Sequence, residues 1–294
     1  MIVVPQDFEE GLIHAYGDAG RRWARSLPAL VEQLCSEWGL QLVEDQPPYG
    51  DWNLILLVRR DHEPCVLKIF GPDPGASDEV HALRRWAGRG AVLLLEASPN
   101  GEGVLLERLD PTRPLTSIEL MRAAEIAGSL IRQLTVPAPP GLPLLVDIAQ
   151  SHAETFKLRQ QAQGNPLPSR WVDLATQLAQ ELAADSGESL VHSDLHYGNV
   201  LAGTREPWLA IDPKPVIGNP ERSVPELMWT RIDDAPDEAA VRDLFNALTR
   251  AGDLDAHRAW AWTIVQTVHY WLWGLNAGLT EDPVRCRRLL DTLT

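Results

Sequence analysis

Strand-length apolar runs crowd into the first third of this chain and helix-length amphipathic segments fill the rest, and no other feature constrains its fold as strongly. The runs lie at 41–43, 53–58, 65–70, 92–95 and 104–109, separated by turn signals that include the hairpin dipeptide Asn100-Gly101. One short helix, 77–86, interrupts them. A longer helix over 21–38 precedes them, with Ala24, Leu27, Val31, Leu34 and Trp38 at helical spacing and Gly39 as its stop. Beyond Pro111 the pattern turns helical, at 117–134, 147–163, 170–184, 238–250, 256–277 and 282–293. Strands first and helices later predict an α+β chain of two lobes: 1–109 with a five-stranded antiparallel sheet and one inserted helix, and 110–294 mainly helical. Proline-rich pieces at 137–143 and 166–168 read as connectors inside the second lobe.

The 294 residues allow a substantial buried core, and 45% hydrophobic with 23% charged residues is the composition of a soluble globular protein. The first ten residues lack a basic flank and a sustained apolar run, so no signal peptide is expected. The most membrane-like stretch, 259–275, is broken by Thr263, Gln266, Thr267 and His269 and is too short to span a bilayer. Three widely spaced cysteines argue against a disulfide framework and for a cytoplasmic location. A formal charge of -15 disfavours nucleic acid as a partner and suits a cationic small molecule. No partner membrane is expected.

The chemistry concentrates in His192-Ser193-Asp194-Leu195-His196-Tyr197-Gly198-Asn199, followed by Asp212. Transfer of a γ-phosphoryl group needs a carboxylate at the acceptor hydroxyl and oxygen ligands for Mg²⁺. Asp194 fits the first role; Asn199 and Asp212 fit the second. The apolar runs 200–202 and 208–211, flanking the polar turn 203–207, predict a hairpin that returns Asp212 to Asn199. Alone, either residue reads as an ordinary turn cap. His192-x-Asp194-x-His196 also resembles a metallohydrolase ligand set, but the other six histidines offer no paired spacing to complete a zinc site.

Phosphoryl transfer also needs a cation on the α and β phosphates. Of 26 basic residues only three are lysines, Lys68, Lys157 and Lys214, so a lysine marks a place where a point charge is preferred to a planar fork. Lys68 ends an apolar strand and needs a partner to stay charged there. Glu79 on the inserted helix is the expected one, with Asp78 as competitor. Backbone N–H groups near Gly50, in the segment linking the first two strands, are expected to approach phosphate, although no glycine-rich fingerprint is present. Glu107 and Leu109 lie where the lobes join and offer main-chain groups to a nucleobase, an assignment resting on position alone. The tryptophans at 260, 262, 271 and 273 read chiefly as core.

These pieces resemble the aminoglycoside phosphotransferase family of the protein-kinase-like fold. Asp194-Leu-x-x-x-Asn199 is similar to the kinase catalytic loop. "LPALVEQLCSEWGL", "LLERLD" and "IDPKP" are similar to the streptomycin phosphotransferase and hydroxyurea kinase branch. The resemblance implies a nucleotide-binding first lobe and a second lobe carrying catalytic loop and substrate site. It makes Asp194 the base, Asn199 and Asp212 the Mg²⁺ ligands, and Lys68 with Glu79 the phosphate clamp. His192 would brace the loop, and Lys214 would neutralise transferred charge or pair with a carboxylate. The chain departs from the family at Ser193, where glycine is usual, at Tyr197, where proline is common, and at Asn219, where the family has aspartate. The last removes an anchor of the catalytic loop.

The expected activity is ATP- (or GTP-) and Mg²⁺-dependent O-phosphorylation of a small cationic aminocyclitol such as streptomycin. Glu226, Asp233, Asp234, Glu281 and Asp282 are candidate cation-binding carboxylates. A kinase for hydroxyurea or another small hydroxylated metabolite, and a catalytically silent nucleotide-binding module, are the alternatives.

Overall fold

The computed structural model describes residues 2–43, 52–72, 75–185 and 187–294, without the side chains of Ala76 and Ser77. Gly50 lies outside them. The chain divides into two compact units, Met1–Leu109 and Asp110–Thr294.

Unit 1 is a five-stranded antiparallel sheet in the order β1-β2-β3-β5-β4. Its strands are β1 (Leu40–Leu42), β2 (Leu54–Arg60), β3 (Glu63–Ile69), β4 (Leu94–Ala97) and β5 (Gly103–Glu107). The β2–β3 turn is only Asp61-His62, both at positive φ (51° and 73°), the backbone that a two-residue hairpin matched to strand twist requires. Ser98 closes the β4–β5 loop by accepting from the N–H of Glu102 and Gly103. Leu56, Leu67 and Leu105 lie in register across three strands and are fully buried. Against such rows pack α1 (Gln6–Tyr16) and α2 (Asp18–Trp38) through Phe8, Leu12, Leu27 and Leu34. The helix over 21–38 thus starts earlier than expected and a second helix precedes it, because Gly17 at φ 57° separates two short amphipathic patterns. Between β3 and β4 stands α3 (Ala76–Trp86).

Unit 2 holds α4 (Leu120–Leu134), α5 (Leu145–Ala162), α6 (Ser169–Ala184), α7 (Val224–Trp229), α8 (Glu238–Gly252), α9 (Ala256–Asn276) and α10 (Glu281–Leu293). Gly128 lets α4 approach α8, since a Cβ there would meet the Leu248 carbonyl at 2.6 Å. The core gathers on α5, α6 and α9 around Phe156, Trp171, Trp262 and Trp271. Two small sheets carry the loops. β6 (Asp110–Pro114), β9 (Val200–Ala202) and β10 (Trp208–Ala210) form one, and β7 (Val136–Pro137), β8 (Ser189–His192) and β11 (Pro215–Gly218) form the other. Sequence periodicity missed β6, β7, β8, β11 and α7, which have two to six residues each, too few for a repeat to register. Cys35, Cys65 and Cys286 are free thiols. No described helix is long and apolar enough to cross a membrane.

Candidate active site

The candidate catalytic segment of unit 2 grows out of a strand pair. β8 runs antiparallel to β11 with His192 opposite Pro215. Past that pair, Ser193 ties itself to the returning chain twice, its N–H and its hydroxyl both donating to the Lys214 carbonyl (3.1 and 2.6 Å). Asp194 follows. A 3₁₀ turn over Tyr197–Asn199 then leads into β9, capped by His196, whose Nδ1 accepts from the Gly198 N–H at 3.1 Å. The expected hairpin forms, with Ala210 opposite Val200, and the Ile211 N–H donates to the Asn199 carbonyl at 2.9 Å. Asp212 therefore stands next to Asn199. Its φ is +51°, a left-handed backbone uncommon for a residue with a side chain and typical of functional turns.

Three side chains stiffen this arrangement. The Asn199 amide donates through Nδ2 to the Asp194 carbonyl at 3.0 Å. His192 is buried and uses both ring nitrogens on backbone. Nδ1 accepts from the Asp194 N–H and Nε2 lies 3.0 Å from the Ile211 carbonyl, to which it donates in that tautomer. Burial holds its pKa below the usual histidine value, which keeps it neutral. The hydroxyl of Ser223 donates to the His192 carbonyl at 3.1 Å. Lys214 Nζ comes within 3.2 Å of Asp194 Oδ2, so this lysine meets the carboxylate expected to act as base.

The departures from the family pattern have specific structural roles. Ser193 adds a hydroxyl tie that glycine could not make. Asn219 is buried and donates to the Asp185 carbonyl at 2.7 Å, so it anchors the approach to β8 and not the catalytic loop. It packs beneath Gly187, whose φ of +73° and contact with the Asn219 side chain leave no room for a Cβ. Tyr197 is fully buried with the Arg231 guanidinium over its ring at 5.3 Å.

In unit 1, Lys68 of β3 pairs with Glu79 of α3 at 2.6 Å, and both side chains are more than nine-tenths buried. Asp78 does not take that place; its N–H caps onto the Gly75 carbonyl. Lys68 also lies 5.2 Å from the Phe70 ring. Two buried unlike charges at this distance hold each other ionised where either alone would be costly. Glu107 turns inward, its N–H and carboxylate both engaged with Leu93, so its main-chain donor is committed to the sheet. Leu109 is buried.

The five carboxylates expected to face a cation separate into two groups. Glu226 is a correction to that expectation: it is buried on α7 and both its oxygens accept from Arg222 Nη1, at 2.9 and 2.8 Å. Burial raises its pKa, and Arg222 opposes that rise. Asp233, Glu281 and Asp282 gather round Arg285, and Asp234 pairs with Arg231. The sequence reading took Trp273 chiefly as core and did not single out Tyr270; the two stack on one another beside Asp282, and their three-residue spacing on one helix was the available signal.

Two solved structures share the fold. A thermostable mutant of an aminoglycoside phosphotransferase, crystallised with ADP and hygromycin B, superposes with a TM-score of 0.60 at 17% identity, over 89% of this chain and 97% of that one. A choline kinase of Streptococcus pneumoniae superposes at 0.58 and 14% identity, over 92% and 99%. The fold is therefore protein-kinase-like, with the antiparallel sheet and the helical unit in sequence order. Residues 39–278 match the model of the aminoglycoside/hydroxyurea antibiotic resistance kinases, and the chain belongs to that family of phosphotransferases. It is 37% identical to a streptomycin 6-kinase of Streptomyces glaucescens, over 95% of this chain and 92% of that one. It is 38% identical to a hydroxyurea phosphotransferase of Kitasatospora aureofaciens, over 97% and 84%.

Proposed function

We propose that this phosphotransferase catalyses ATP- and Mg²⁺-dependent O-phosphorylation of a small cationic aminocyclitol or aminoglycoside of the streptomycin type. The observation that carries this reading is the single hairpin that brings Asp194, Asn199 and left-handed Asp212 together, with Lys214 against Asp194. Asp194 orients the acceptor hydroxyl and accepts its proton. Lys214, ion-paired with that carboxylate, is available to exchange onto the transferred phosphoryl oxygens. Asn199 and Asp212 would hold Mg²⁺. Their oxygens suit a hard cation, and donation from Asn199 Nδ2 to the Asp194 carbonyl turns Oδ1 the other way, toward such a role. The ion, when bound, offsets charge on the β and γ phosphates.

Lys68, held by Glu79, would pair with the α and β phosphates. The main chain of the 107–109 segment would meet the base, through groups other than the committed Glu107 N–H. Asp233, Asp234, Glu281 and Asp282 supply the negative field for a cationic acceptor. A cytoplasmic site of action fits the three free thiols.

Hydroxyurea is the alternative acceptor, favoured by an identity of 38% to the Kitasatospora relative against 37% to the streptomycin kinase. An acceptor panel with MgATP, read by mass spectrometry for the gain of about 80 Da that one phosphoryl group adds, decides between them. Phosphorylation of streptomycin is expected. Modification of hydroxyurea alone would replace this reading, and nucleotide-dependent thermal stabilisation with no acceptor modified would favour a silent nucleotide-binding module.

A further inference from the structure

Three aromatic rings of unit 2 form a ladder that phosphoryl transfer itself does not use. Trp229, the last residue of α7, stacks on Tyr270 of α9 with centroids 4.9 Å apart and planes 6° apart. Tyr270 in turn stacks on Trp273 at 5.4 Å and 20°. The ladder runs from interior to solvent, Trp229 being 6% exposed and Trp273 47%. On a helix that buries Trp262 and Trp271, an indole left half open at the end of a stack is poorly explained by packing.

The surroundings of the ladder select for charge. The Tyr270 hydroxyl donates to Asp282 Oδ2 at 2.9 Å. The other oxygen of Asp282 lies 3.0 Å from Arg285 Nη1, while Arg285 Nε meets Asp233 at 2.6 Å and its Nη2 lies 3.6 Å from Glu281. The chain has thus seated a guanidinium of its own among three carboxylates beside the rings. The inner end of the ladder also adjoins the catalytic segment. Trp229 is one helical turn beyond Glu226, whose carboxylate interacts electrostatically with Asp194, and two residues before Arg231, which covers the catalytic-loop Tyr197.

We propose that the open face of Trp273, with Tyr270 stacked behind it, is the specificity-determining platform for a guanidinium-bearing ring of the acceptor, with Arg285 the resident cation whose place on Asp282 and Glu281 that guanidinium takes. The inference rests on the acceptor class proposed above. Aromatic faces attract a planar cation, and carboxylates at their edge orient it. A small neutral acceptor such as hydroxyurea gains little from either. Arg285 then acts as an internal competitor that keeps the carboxylates neutralised between turnovers.

The test uses the full-length enzyme with streptomycin as the guanidinium-bearing probe. Trp273→Ala is expected to raise the KM for streptomycin about tenfold, the loss of one desolvated cation–aromatic contact, with the KM for ATP unchanged. Trp273→Phe should recover most of that loss, and Arg285→Gln should lower the streptomycin KM. A streptomycin KM for Trp273→Ala equal to that of the parent overturns the proposal. If the parent does not turn streptomycin over, titration calorimetry replaces KM. Binding that weakens in Trp273→Ala keeps the platform while the phosphorylation reading fails, and a parent that does not bind streptomycin overturns the platform as well.

Discussion

The ammonium of Lys214 stands 3.2 Å from Asp194 Oδ2, brought there because Ser193 and Lys214 face each other across the extension of the β8–β11 pair. The lysine is mostly exposed, so the pair adds little to stability. Its effect should fall on rate. Lys214→Ala is expected to lower kcat by about 10²-fold, the cost typical of removing one charged donor from a transition state, with the melting temperature unchanged. Steady-state kinetics with a thermal melt on the same preparation check both halves.

Removing the carboxylate next to it should be more severe. Asp194→Asn keeps the main-chain carbonyl that Asn199 needs, so the loop stays in place while the proposed base is lost. A fall in kcat of about 10² to 10⁴ is expected, with MgATP still raising the melting temperature. Turnover near the parent level would remove Asp194 from its assigned role.

The buried pair in unit 1 behaves differently. Glu79→Ala removes the carboxylate that pairs with the buried Lys68 ammonium and should destabilise the protein by about 3–5 kcal/mol in urea unfolding. The double change Lys68→Met with Glu79→Leu should recover much of that loss, because no buried charge remains. Neither protein should use ATP efficiently, which separates the pair's functional role from its cost to the fold.

Acid should weaken the protein through two histidines remote from this chemistry. His152 and His269 are in ring contact at 4.3 Å, and each accepts a hydrogen bond, His152 from Gln266 and His269 from Arg159, geometry that needs neutral rings. Burial, with His269 beside His152 and with Arg159 and Arg222 near both rings, holds their pKa values down at about 3 and about 4. In the unfolded chain both titrate near 6.5 and the folded protein resists protonation. Stability is therefore full above about pH 6.5 and falls as pH drops toward the folded values, by up to about 1.4 kcal/mol per pH unit for each ring. Melting temperatures between pH 7.5 and 5 should show that slope, and His269→Gln should flatten it.

Ser193→Gly, which restores the family's usual residue, tests whether the departure matters. It removes the hydroxyl bond to the Lys214 carbonyl and loosens the chain before Asp194. A loss of about 1 kcal/mol in unfolding free energy is expected, together with a lower kcat. An unchanged kcat would show that the backbone bond from the Ser193 N–H suffices.

Much of this was legible beforehand, for reasons that differ from element to element. The β4–β5 and β9–β10 hairpins announced themselves because turn residues and short apolar runs act over a few neighbours. Asp194, Asn199 and Asp212 were readable because their spacing is local to one hairpin. Lys68 stood out through the scarcity of lysine. By contrast, Glu226 looked like any exposed helical acid until the fold closed Arg222 over it, and Trp273 looked like core until its neighbours Trp262 and Trp271 took the interior. The short strands β8 and β11 exist only because each supplies the other's hydrogen bonds.

The sequence by itself determined the two-part order of strands and helices, the hairpin that returns Asp212 to Asn199, and the lysine that needs an acidic partner. All of these depend on patterns within a turn, a strand or a hairpin. Only the tertiary structure decided that Glu79 and not Asp78 pairs with Lys68, that Lys214 meets Asp194, and that Arg285 lies among carboxylates beside an aromatic ladder. Those outcomes depend on which faces are buried against each other, and burial is set by the packing of segments far apart in the chain.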